Sequence, residues 1–313
     1  MVNKIQTYII VIFIVLTFLI SSANAEVKVV TSIKPIHSLV SYIMDGVGTP
    51  DVIVDGYNSP HNFSLKPSHA KMLENADLVI WIGEDLETFL EKSLNTIAKK
   101  AKHIEVLDIK GIKKLEFRKK NIFEKHDNHK EHDDHKEKSS HESHAHGEHD
   151  PHVWLDPINA KLIIKEITKK LVQLDSKNSS IYKSNSKKAL AKMDVLVKEI
   201  KNDLNKDLRF VVFHDAYQYF ENRFGIQVLG ALTLNTDVMP GAEQLSKIRE
   251  VIEHEKVNCL FSEPQFNPAI IKSIAKDTNV KIGILDPLGA KLDKSKSLYF
   301  NLLKDMSSSF KGC

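Results

Sequence analysis

Apolar residues along this chain recur with two different spacings that alternate over most of its length. Short β-branched runs at 26–31, 52–55, 78–82 and 104–108 are separated by segments at 36–45, 68–76 and 86–100 where apolar positions return every three to four residues. The first spacing belongs to buried strands, the second to helices with one apolar face. Strand runs interleaved with helical segments predict parallel strands flanked by helices. The pattern repeats at 210–213, 228–232, 259–262 and 282–285, with helices predicted near 216–224, 242–255, 269–277 and 298–308. The chain reads as an α/β protein of two lobes, each a small parallel sheet flanked by helices.

Two helices are predicted between these halves. Asp156 and Pro157 form an N-cap and first-turn pair, after which Ala160, Ile163, Ile164, Ile167 and Leu171 share one face. A second helix, from about Ser180 to Leu204, carries Ala189, Met193, Leu196, Val197, Ile200 and Leu204 as a stripe with lysines opposite. At its full length it extends roughly 35 Å, enough to run along both lobes as a stiff connector. An ordinary surface helix inside one domain would show the same stripe. The layout expected is an N-terminal lobe over 26–175, one long rigid connecting helix over 176–205 and a C-terminal lobe over 206–313.

Composition narrows the picture at three places. Residues 1–25 combine Lys4, an apolar run from Tyr8 to Ile20 and the small-residue site Ala23-Asn24-Ala25, the pattern of a cleaved secretory signal peptide. The apolar run falls short of the ~20 residues that a membrane span needs. The net charge is only +3, with 44 basic and 41 acidic side chains intermixed, so no nucleic-acid-binding stripe is present. The two cysteines, Cys259 and the terminal Cys313, travel to an oxidising compartment, where a disulfide tying the tail to the core is the natural reading and a pair of thiolate ligands the alternative.

The segment 119–150 is nearly devoid of apolar residues and holds His126, His129, His132, His135, His141, His144, His146 and His149 among Asp, Glu and Lys. Such a composition cannot bury enough surface to offset its ordering entropy, so a disordered loop with weak, multi-site metal binding is expected. Outside it, His61 follows the turn-rich Gly56-Tyr57-Asn58-Ser59-Pro60, His152 follows Asp150-Pro151, and His214 ends a strand. Asp286 ends the last strand in the same way. Ligands of α/β sheets bind at the carboxyl ends of strands, and three imidazoles plus one oxygen give a tetrahedral zinc site. No compact His-Glu-x-x-His or Cys-x-x-Cys signature occurs, so any such site must be assembled by the fold. Three histidines and an open position also describe a catalytic zinc site, for which Asp215 or Glu263 are the candidate bases. A secreted zinc hydrolase is thus one rival reading, and a zinc buffer or surface adhesin on the same fold another.

The segments Ser59-Pro60-His61-Asn62-Phe63-Ser64-Leu65-Lys66-Pro67-Ser68, Asp150-Pro151-His152-Val153-Trp154-Leu155-Asp156-Pro157, Phe213-His214-Asp215-Ala216-Tyr217, Glu263-Pro264-Gln265-Phe266 and Leu285-Asp286-Pro287-Leu288-Gly289 occur in this order. Together they resemble the high-affinity zinc-binding periplasmic subunits of ABC importers, within the cluster A-I metal-binding solute-binding proteins. That resemblance implies two α/β lobes joined by one rigid helix, a metal site in the inter-lobe cleft, and a mobile His-rich loop just before the second ligand. It implies a non-enzymatic, periplasmic protein that captures Zn²⁺ and delivers it to an ABC permease at the inner membrane; the charge balance gives no nucleic-acid partner, and monomer is the default oligomeric state. His61, His152 and His214 match the three imidazole ligands, and Cys259 and Cys313 match a disulfide. Manganese-binding relatives carry a carboxylate at the position of His214, so His214 points to zinc, in keeping with nitrogen donors suiting Zn²⁺ and oxygen donors Mn²⁺. Some zinc members place Glu directly before the first ligand, where this chain has Pro60. The fourth ligand is then Asp286, matching the carboxylate of other branches, or a water. His69 is read as a first-turn helix residue; Glu263 either approaches the cleft from its own strand end or is a structural carboxylate accepting backbone hydrogen bonds, and it is left out of the ligand set.

Overall fold

The structure, a computed structural model, describes residues 26–122, 149–204, 208–234, 236 and 240–313. The signal peptide assigned to 1–25 and nearly all of the His-rich stretch lie outside the described residues. Among the described residues no helix is long and apolar enough to cross a membrane.

The first half builds β1 (Val29–Ile33), α1 (Lys34–Ile43), β2 (Asp51–Val54), α2 (Pro67–Glu74), β3 (Leu78–Trp81), α3 (Thr88–Thr96) and β4 (Lys102–Glu105). The strands pair in parallel in the order β2-β1-β3-β4. All five residues of β1 and all four of β3 are buried, so neither run alternates between buried and exposed positions: helices cover both faces of a parallel sheet. The second half repeats the plan with β5 (Arg209–His214), β6 (Gln227–Thr233), β7 (Cys259–Ser262) and β8 (Lys281–Ile284), in the order β6-β5-β7-β8. In both sheets the first strand is central and the chain steps to one side of it, then to the other. The carboxyl ends of the two inner strands therefore flank the point where strand order reverses, the place where such sheets hold ligands.

The connecting helices form as the sequence predicts. In α4 (Pro157–Leu174) the Asp156 side chain caps Ile158 N at 2.8 Å, and the predicted apolar face is buried. Helix α5 (Ser179–Asp203) is continuous over 25 residues and packs against α4, α1 and the C-terminal helix. The remaining helices of the second half are α6 (Gln218–Phe224), α7 (Ala242–His254), α8 (Ala269–Thr278) and α9 (Leu298–Lys311). Successive residues of β5 point to opposite faces of the sheet. Phe210 and Val212 join a core shared with the whole first half, whereas Val211 and Phe213 join a smaller core under α7 and α8.

Helix α9 crosses back from the second sheet to the first half. Tyr299 N donates to Ser38 Oγ at 2.9 Å and Tyr299 Oη to Trp154 O at 2.6 Å, while Phe310 packs against Phe210, Phe220 and Phe261. Its end is tied to β7 by the Cys259–Cys313 disulfide. A bridge closing a loop of that size stabilises the fold by about 4 kcal/mol in the chain-entropy account. Further links join the halves: Arg223 pairs with both oxygens of Asp156 at 2.7 Å, and buried Lys34 donates to Ala290 O and Leu292 O.

Residues 115–122, just before the His-rich stretch, lie across the second half. Ile122 bridges to Gly230 on the open edge of β6, Ala231 N donates to Asn121 O at 2.9 Å, and Arg118 reaches Asp215 and Glu221. A methyl group at Gly230 would stand 2.7 Å from Asn121 O, so this position is glycine for close backbone approach. Gly230→Ala is expected to destabilise the protein by about 1–3 kcal/mol by forcing this segment off the sheet edge. Thermal unfolding of the variant checks this, with a fall in Tm of several degrees as the expected result.

Candidate metal centre

Three separate pieces of chain bring imidazoles to one point. His61 lies in the loop after β2, which opens at Gly56 in a left-handed turn, φ +67°. His152 immediately precedes a short 3₁₀ turn, Val153–Leu155, that leads into α4. His214 is the last residue of β5. One ligand atom from each lies within 4.8 Å of the other two. The His152 and His214 rings are buried, His61 is half-buried, and the ring centroids stand 5.3–5.7 Å apart.

Two carboxylates fix how the buried rings present themselves. His152 Nδ1 lies 2.7 Å from Asp150 Oδ1, and His214 Nδ1 lies 2.6 Å from Glu263 Oε1. An ionised carboxylate only accepts, so each Nδ1 carries the hydrogen and each Nε2 is left with its lone pair toward the cavity. Those two Nε2 atoms are 3.4 Å apart. Facing lone pairs repel unless a proton or a cation stands between them, and an imidazole held by a carboxylate at its other nitrogen is the usual arrangement of a metal-ligating histidine.

The local field favours a cation. Burial, reinforced by the nearby charge of His214, pushes His152 well below its ordinary pKa. Burial would lower His214 too, but the adjacent Glu263 charge and hydrogen bond, with Asp215 and Asp150 beyond, outweigh it and hold this ring above its ordinary value. Burial raises Asp150 to about 7, and raises Asp215 to about 6 against the opposing charge of Arg118. Arg118 sits between Asp215 at 2.7 Å and Glu221 at 2.8 Å, so it is spent on that pair, while Asp150 and Glu263 stand directly behind the imidazoles. The Tyr219 hydroxyl donates to Asp150 O and accepts from Leu115 N, which steadies the loop carrying Asp150.

The cavity beside the three rings is small, about 10 Å³, and is lined also by Pro60, Trp154, Gln265, Phe266 and Leu288. That is room for about one ion or one water. A larger groove of about 660 Å³, lined by Trp81, Glu84, His103 and Glu105 among others, lies elsewhere on the first half. It does not bring three ligand atoms together among the described residues.

The structure does not bring Asp286 into the imidazole cluster. Its Oδ1 accepts from Gln265 Nε2 at 2.9 Å and from Leu288 N at 3.2 Å. His69 sits in the first turn of α2, where its Nδ1 accepts from Lys66 N at 3.1 Å as a cap. Glu263, left outside the ligand set on sequence grounds, accepts from the backbone N–H of His214 and lies 2.6 Å from its Nδ1, so it also orients that ring. The structure makes β5 and β7 neighbours, so a carboxylate just past β7 lies level with a histidine ending β5, a pairing no local sequence signal marks. Asp150 was visible only as part of a motif, and nothing local in the sequence marks Arg118 as their neighbour.

A two-lobed α/β architecture with imidazoles converging from two loops and a strand end is that of a metal-binding solute-binding protein. The family described as zinc-uptake complex component A, periplasmic, matches residues 29–313, and the chain belongs to it. The high-affinity zinc uptake system protein ZnuA of Brucella abortus (strain 2308) is 42% identical over 311 residues, covering 94% of this chain and 93% of that protein. The protein of the same description from Haemophilus ducreyi is 43% identical over 298 residues, covering 93% and 94%. A crystal structure of ZnuA superposes with a TM-score of 0.74 at 25% identity, covering 91% of this chain and 98% of the other. A Mn-bound periplasmic metal binding protein from Candidatus Liberibacter asiaticus shares the fold, with a TM-score of 0.71 at 23% identity and coverage of 91% and 98%.

Glu263→Gln and Asp150→Asn keep the shape of the site but weaken the hold on each ring and its basicity. Each is expected to reduce Zn²⁺ affinity by about 10–100-fold with secondary structure unchanged. Competition titration against a chromophoric chelator, alongside circular dichroism, checks this.

Proposed function

We propose that this chain is the periplasmic zinc-binding subunit of an ABC importer, holding one Zn²⁺ on His61, His152 and His214 and passing it to a permease at the inner membrane. The observation that carries the reading is the pair of Nε2 atoms at 3.4 Å, each ring tethered through Nδ1 to a buried carboxylate. The ion is cargo, and the donor set suits it: three borderline nitrogen ligands match Zn²⁺ better than Mn²⁺. Asp150 and Glu263 together balance its two positive charges, so the loaded site is close to neutral although buried, which limits the cost of removing the ion from water. Family membership and the ZnuA relatives support the same substrate and the same partner. Export through the segment 1–25 would deliver the mature chain to the periplasm.

The hydrolase reading is disfavoured by the cavity itself. At about 10 Å³ it leaves no space for a substrate beside the ion. Asp215 is engaged by Arg118, and Glu263 by His214, so neither candidate base is free for proton transfer. The protein is accordingly read as a carrier and not an enzyme. A buffer or adhesin would bind zinc equally well. Uptake therefore separates them: a strain lacking this protein should regain growth in chelated medium when it is restored, and only with a working permease.

His214→Ala should lower affinity by more than ~100-fold, beyond the loss from either supporting carboxylate. Retention of one tightly held zinc per chain in that variant would overturn the assignment. Zinc competes with a proton for His214 Nε2. Its pKa is raised, so the proton is held to higher pH than on a free imidazole, whose pKa is ~6.5. Affinity should thus fall as pH drops through and below that raised value and recover as pH rises above it. Titration from pH 8 to 5 at constant ionic strength checks the sign.

A further inference from the structure

The three imidazoles leave one coordination position to be filled, and the geometry around Gln265 indicates how. Gln265 lines the same small cavity as His61, His152 and His214. Its amide is oriented by a carboxylate: Nε2 donates to Asp286 Oδ1 at 2.9 Å, which settles which end of the amide is nitrogen, since an ionised carboxylate offers no hydrogen. Its Oε1 is left buried with no hydrogen-bond partner in the protein. A buried carbonyl oxygen without a partner is destabilising, and the cavity is the adjoining space from which a partner can come. Asp286, for its part, is engaged by Gln265 and by the backbone N–H of Leu288, and so is held where it is.

We propose that Gln265 is a positioning and specificity residue for the metal site. Its Oε1 accepts a hydrogen bond from a water that fills the fourth position on the ion, and Asp286 acts as the clamp on the Gln265 amide instead of as a ligand. This rests on the three-imidazole reading and completes it. The physical consequence is selectivity. A neutral acceptor leaves the charge balance between the ion, Asp150 and Glu263 intact. A carboxylate entering the sphere would add a third negative charge and a hard oxygen donor, which favours Mn²⁺. By holding Asp286 back, Gln265 keeps the site nitrogen-rich.

The test compares Gln265→Leu with Asp286→Asn in the full mature chain. Zn²⁺ affinity is read by chelator competition and the coordination of a Co²⁺ probe by its visible absorption spectrum. Gln265→Leu removes the acceptor and is expected to weaken Zn²⁺ by about tenfold and to alter the Co²⁺ spectrum. Asp286→Asn keeps an acceptor for Gln265 Nε2, so its loss of affinity and its spectral change should both be smaller than those of Gln265→Leu. If Asp286 is itself the fourth ligand, the order reverses and Asp286→Asn shows the larger loss and the larger spectral change, which overturns the proposal. A Gln265→Leu protein indistinguishable from wild type in both readouts overturns it as well. Should Gln265→Leu fail to fold, Asp286→Asn alone still decides between water and carboxylate. A wild-type chain that binds no zinc would instead defeat the three-imidazole reading itself.

Discussion

Everything at the centre of this protein depends on two short contacts in which a buried carboxylate holds Nδ1 of a buried imidazole, Asp150 on His152 and Glu263 on His214. These contacts fix the tautomer, aim both Nε2 lone pairs at one point and bring two negative charges within a few ångströms of it. An arrangement of that kind is costly without a cation, because the lone pairs repel and the charges are poorly solvated. The site therefore stores an affinity for a small dication before one arrives. The raised His214 fits this account, since in the ion-free protein a proton is the cation at hand.

The scaffold makes that arrangement rigid through the shared strand order of its two sheets. His214 ends β5 and Glu263 follows β7, its neighbour, so one parallel pair delivers the ring and the carboxylate at the same height. His152 and Asp150 are supplied from the other side by a segment anchored by several hydrogen bonds and an ion pair. Trp154 Nε1 donates to Pro287 O, Tyr299 Oη donates to Trp154 O, and Arg223 clasps Asp156. These bonds span the two halves of the chain. Helices α5 and α9 add packing to them, and the larger core runs without interruption from the first half into one face of the second sheet. The halves are thus fastened to each other close to the metal site and along its back, which suits a protein that must hold a cavity of single-ion size to close tolerance.

The sequence alone determined the α/β class, the eight strands and nine helices described here to within a few residues, the uninterrupted α5, and the histidines at strand ends and loops. These were legible because each rests on local pattern: apolar periodicity, an Asp-Pro helix start, glycine in a turn. The family resemblance, carried by short motifs, named the three imidazoles. What only the tertiary structure decided was mutual position. It brought His61, His152 and His214 within reach of one another, set Glu263 behind His214, and set Asp286 against Gln265. It also laid 115–122 over the edge of β6 and sent α9 back across to α1. Distances between groups tens to hundreds of residues apart are set by how sheets twist and cores pack. Strand ends far apart in sequence become neighbours only when parallel pairing and shared burial place them so, and no local pattern of residues encodes that.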